Sequence, residues 1–160
     1  MSIVANRVDE RLVHGQIMTS WSKHLQLKSV WVVDDGLAKD SFMASVLALA
    51  APAGLDIRVL SVADAASAMQ QEEMTGATML LFKRIDQAEA LARALQGTAH
   101  PVGELNIGNI GSAPGRVQVT KNVFLSPEDK ASLQSLQGMG VDVFLQMLYT
   151  DPRTPVSEVL

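Results

Sequence analysis

Short runs of aliphatic and β-branched residues alternate with longer stretches of helical periodicity along all 160 residues, and this alternation restricts the possible folds more than any other feature. Strands are predicted over Ile3–Val8, Ser29–Val33, Asp56–Leu60, Thr78–Phe82, Glu104–Ile107 and Val141–Leu145, with one more near Val117–Leu125. Most of these runs are continuously apolar, as expected of strands covered on both faces of a parallel sheet. Between them lie helical patterns. One covers Gln16–His24; in another, Asp40 caps a helix that places Met43, Val46, Leu47 and Ala50 on one face before Pro52 stops it. Ala63–Glu73 and Asp86–Gln96 are Ala-rich and periodic, closed by Gly76 and Gly97. Ser126-Pro127-Glu128-Asp129 reads as an N-cap, a first-position proline and a first turn of acids, and Gly138 ends that helix. Thr154-Pro155 is expected to open a last short helix. The predicted fold is therefore α/β: one doubly wound, mostly parallel β-sheet with helices on both faces, spanning 1–160 as a single domain without repeat or linker.

Several function classes drop out. A net charge of −4 argues against a nucleic-acid binder, and the absence of cysteine removes disulfides, thiolate catalysis and Cys-ligated zinc. No window approaches 18 uninterrupted apolar residues, and the start Met1–Arg7 lacks the apolar core of a signal peptide. The expectation is a cytoplasmic protein. Gly108–Gly115 is glycine-rich but has no G-x-x-x-x-G-K-[ST], and no G-x-S-x-G elbow is present. His24 and His100 have no partners at metal-ligand spacing, so no metal is expected.

In open α/β sheets ligands sit beyond the carboxyl ends of the strands. After the first strand the chain reads Arg7-Val8-Asp9-Glu10-Arg11-Leu12-Val13-His14-Gly15-Gln16-Ile17, a polar segment between a strand and a helix. His14 falls at the predicted helix N-terminus, where unpaired N–H groups favour an anion. Arg11 carries a planar, permanently charged fork suited to phosphate oxygens, and Gly15 leaves room for an approaching group. A neutral imidazole has a lone pair able to form a covalent intermediate. Asp9 or Glu10 would fix Arg11 or Arg7, or accept the imidazole's second N–H; Asp9 is the favoured choice. Lys83-Arg84 ends the fourth strand and could add positive charge near the same rim. Asp34-Asp35-Gly36 is either a capping turn or the acidic site of a receiver-like domain with Lys83 as partner.

The string from Arg7 to Gln16, followed by Trp21 and Lys23, resembles the phosphorylation-site segment of enzyme IIB components in the mannose–fructose–sorbose family of the bacterial sugar phosphotransferase system. Further matches are Val32-Val33-Asp34-Asp35, Leu105-Asn106-Ile107-Gly108 with the family's Asn-x-Gly loop, and Gly140-Val141-Asp142-Val143 ahead of Gln146. Where such proteins usually follow that glutamine with Val-Pro, this chain has Met147-Leu148-Tyr149-Thr150. The resemblance implies a phosphohistidine carrier. His14 would take a phosphoryl group, on Nδ1 in that family, from a IIA component, with Arg11 neutralising it. The acceptor would be the hydroxyl of a sugar held by membrane components IIC and IID, beside which the protein would work peripherally. No cofactor beyond the covalent phosphoryl group is implied, and the sugar cannot be read from this chain.

Overall fold

The computed structural model describes residues 2–160, except the side chains of Gln16 and Ile17. A seven-stranded sheet forms the middle layer, built from β1 (Ser2–Asp9), β2 (Ser29–Val33), β3 (Asp56–Leu60), β4 (Ala77–Phe82), β5 (Glu104–Asn109), β8 (Asp142–Leu145) and β9 (Thr154–Pro155). Its order is β3-β2-β4-β1-β5-β8-β9, parallel throughout except for β9, which runs antiparallel to β8. The short β6 (Val117–Thr120) and β7 (Val123–Leu125) form a separate antiparallel hairpin.

Continuously apolar strands follow from two-sided cover. In β2, Trp31 and Val33 join the core cluster under α3 (Val62–Gln70), α4 (Ile85–Leu95) and α5 (Pro127–Gly138). Their neighbours Val30 and Val32 face the other way, beneath α1 (Gly15–Leu25) and α2 (Ser41–Ala50). Leu80 and Phe82 against Met79 and Leu81 repeat the division in β4. Each such fully buried side chain contributes about 1.5–3 kcal/mol of transfer free energy, which both faces of the central strands collect.

Local chemistry closes the helices where the sequence indicates. Asp40 accepts the Met43 N–H at the start of α2, and Ser126 with Asp129 forms a reciprocal capping box at α5, with Pro127 in the first turn. Gly97 and Gly140 take positive φ just beyond α4 and α5.

Beyond shifts of one or two residues at other element ends, three segments differ from expectation. Val117–Leu125 is a hairpin rather than one strand, because the chain turns between Thr120 and Val123. The third helix stops at Gln70, where Glu72 adopts φ 56, and Gly76 lies in the turn before β4 instead of closing it. Thr154-Pro155 is an edge strand, and a single 3-10 turn follows at Val156–Glu158. A missing N–H suits proline equally to a helix start and to a sheet edge.

Candidate functional site

The connection from β1 to α1 is built around Asp9. Its Oδ1 accepts the backbone N–H of Arg11 at 3.0 Å, an Asx-type turn, and its carbonyl accepts the Leu12 N–H at 2.9 Å. Leu12 must adopt φ 58, a conformation uncommon for a leucine, while its side chain and that of Val13 pack into the α1–α2 core. The tight turn thus buries two apolar residues and leaves Arg11 and His14 toward solvent, Arg11 exposed and His14 half-buried.

Asp9 also fixes both arginines. Only 1% exposed, it meets Arg11 Nε at 3.4 Å through Oδ1 and Arg7 Nη2 at 3.5 Å through Oδ2. Of the two duties considered for Asp9, its side chain makes contacts with Arg11 and Arg7, whereas the imidazole meets a backbone carbonyl. His14 Nδ1 lies 2.7 Å from the backbone carbonyl of Leu12. Glu10 turns away, accepting Arg116 Nη1 at 2.9 Å and the Gly111 N–H at 3.2 Å.

His14 is the N-cap residue of α1, with extended backbone and no side-chain cap bond, and no acid occupies the first turn. The helix therefore begins with its N–H groups uncovered by a carboxylate, and Gly15 (φ 33) follows with open space where a Cβ would stand.

Arg7 is the feature that sequence reasoning missed. Its guanidinium is buried (1% exposed), donating to the carbonyls of Gln146 and Met147 at 2.9 Å each and lying 4.9 Å over the Trp21 ring. Trp21 Nε1 donates to the same Met147 carbonyl at 3.0 Å. Burial pulls the Arg7 pKa down from its ordinary value, and the Asp9 carboxylate opposes that shift. Gly108 is required here, because a Cβ on it would collide with the guanidinium. The glycine of Asn106-Ile107-Gly108 was the available signal, but it lies within β5 rather than in a loop, and nothing local connects it to Arg7.

Lys83 and Arg84 line a groove of about 760 Å³ at the carboxyl ends of the strands, together with Glu10, Asp40 and Arg116. Neither Arg11 nor His14 lines it, and Asp86 takes the charge of Arg84 through two contacts of 3.1 and 2.8 Å. Asp34 accepts the N–H group of Leu37 and Asp35 that of Val62. Among the described residues no cluster of His, Asp and Glu is arranged to hold a metal, and no helix is long and apolar enough to cross a membrane.

Comparison with known proteins agrees with this architecture. Residues 3–160 match the family described as "PTS system sorbose subfamily IIB component". The sorbose-specific EIIB component of Klebsiella pneumoniae is 30% identical over 95% of this chain and 91% of its own length. The fructose-specific EIIB component of Bacillus subtilis is also 30% identical, over 100% and 96% respectively. The crystal structure of manxB from Thermoanaerobacter tengcongensis superposes with a TM-score of 0.86 at 34% identity, covering 99% of this chain and 94% of that one. The chain thus belongs to the sorbose subfamily of IIB components of the sugar phosphotransferase system.

Proposed function

We propose that this IIB component carries a phosphoryl group on His14, received from a histidine-phosphorylated IIA component and delivered to a sugar hydroxyl presented by the membrane components IIC and IID. The observation that carries this reading is the placement of an imidazole at an uncapped helix N-terminus, in the same short turn as an arginine tethered by a buried carboxylate.

In the first step the N–P bond of the donor phosphohistidine breaks as a new N–P bond forms on His14, and the His14 proton is balanced by the one regained by the donor imidazole. In the second step an O–P bond forms to the sugar while the His14 N–P bond breaks, and the hydroxyl proton passes to the imidazole. The group arrives already activated, so catalysis consists of positioning and charge stabilisation rather than metal or cofactor chemistry. Arg11 and the first turn of α1 supply positive charge to the three oxygens. Asp9 holds Arg11 in place, and Gly15 gives both partners clearance. Lys83 and Arg84 line a groove that includes Glu10 but neither Arg11 nor His14, and their contribution is to the surface a partner meets.

Incubation with phosphorylated IIA is expected to label the protein at one acid-labile site in the peptide containing His14. A label that needs Mg²⁺, or one that hydroxylamine removes from Asp34 or Asp35, overturns the proposal. Arg11→Ala is expected to slow labelling by about 10²–10³-fold, the usual effect of removing one preorganised donor, with unfolding unchanged because the side chain is exposed. Arg11→Lys restores only part of the rate, since a point charge replaces a fork. Rapid-quench transfer kinetics on the three proteins check both statements.

A further inference from the structure

The His14 ring is held in a conformation from which neither nitrogen can accept a phosphoryl group. Nδ1 faces the Leu12 carbonyl at 2.7 Å, a contact that requires the proton on Nδ1 and leaves the lone pair on Nε2. Nε2, however, is enclosed by the protein and finds no hydrogen-bond partner among the described residues, although the histidine as a whole is only half-buried. Attack through Nδ1 needs its proton moved to Nε2 and its contact with the carbonyl broken. Attack through Nε2 needs that atom uncovered. Both routes require the ring to leave its place.

The carbonyl that holds the ring is aimed by an unusual backbone. Leu12 sits at φ 58 with its side chain 5% exposed, anchored in the α1–α2 core. A leucine in this region costs about 1 kcal/mol or more, and the turn tolerates it because Asp9 and the buried Leu12 and Val13 side chains fix the chain on either side. Gly15, at φ 33, follows with nothing within 4 Å of a Cβ position.

We infer that His14 rests in a closed position held by the Leu12 carbonyl, with Leu12 a positioning residue, and that phosphoryl transfer proceeds only from a minor conformer in which the ring has swung outward. The inference rests on the phosphocarrier reading above but makes a separate demand on the unphosphorylated protein. A IIA component then acts twice: it brings the phosphoryl group and, by docking, favours the outward ring. Carriers awaiting a donor keep their nucleophile covered against other electrophiles.

Long-range ¹⁵N–¹H correlation spectra of the unphosphorylated, neutral protein are expected to show His14 as the Nδ1–H tautomer. With the outward conformer at 10% or less, diethylpyrocarbonate should modify His14 about tenfold or more slowly in the native protein than in the urea-unfolded chain. Leu12→Gly, which no longer prefers any one conformation at this position, is expected to raise the native rate toward the unfolded value and to mix the tautomers. A change that affected packing alone would leave the tautomer in place. An Nε2–H tautomer in the native protein, or modification as fast as in the unfolded chain, overturns the inference even if donor labelling of His14 succeeds. Failure of donor labelling with the closed tautomer intact would instead count against the carrier reading.

Discussion

His14→Ala is expected to fold as the parent does and to accept no phosphoryl group from IIA. The side chain makes one described hydrogen bond, to a carbonyl two residues away, and caps no helix N–H, so its removal should cost about 1 kcal/mol or less. Activity, in contrast, should vanish rather than decline, because a covalent carrier without its nucleophile has no residual route. His24, on the same helix, cannot substitute: it stacks on Tyr149 with ring centroids 4.1 Å apart and belongs to the later turns of α1. Matched denaturation curves together with an empty autoradiogram give the expected result. Label retained by the variant would place the chemistry on another residue.

The second large effect concerns stability. Gly108→Ala is expected to destabilise the fold by about 3–5 kcal/mol, the range for stranding a partner of a buried charge pair. The added methyl displaces the Arg7 guanidinium, which cannot move without leaving two carbonyls and Asp9. For a chain of this size the shift in Tm is roughly 6–20 °C. Gly103→Ala, with open space at its Cβ position, serves as the neutral control. On an Arg7→Met background the same Gly108 substitution should cost at least about 1 kcal/mol less, the coupling that contacting residues show. Additive costs would mean that Gly108 acts through something other than Arg7.

Much of this molecule was legible in its residues. Strand and helix alternation specified the layers, since a parallel sheet leaves apolar runs that no surface strand would carry. The strand-to-helix position of His14, and the arginine three residues before it, were equally open to reading. What stayed hidden depends on contacts far apart in sequence or on backbone atoms. Arg7 stands among three other charged residues in a five-residue stretch, and only Gln146 and Met147, brought across from the end of β8, make it a core residue. The partner of the imidazole is a carbonyl, which every residue possesses, so no letter announces it. The hairpin at Val117–Leu125 was masked by the extended character common to both of its halves, with only Lys121-Asn122 between them to mark the turn.

The two-residue strand β9 has a consequence of its own. Beside β8 the sheet would otherwise offer a row of unpaired N–H and C=O groups to any passing chain. Thr154 and Pro155 occupy that row opposite Leu145 and Phe144, and the ring nitrogen of the proline has no hydrogen to donate to a newcomer. The border of the sheet therefore ends in a residue that cannot extend it, which guards against aggregation by strand addition.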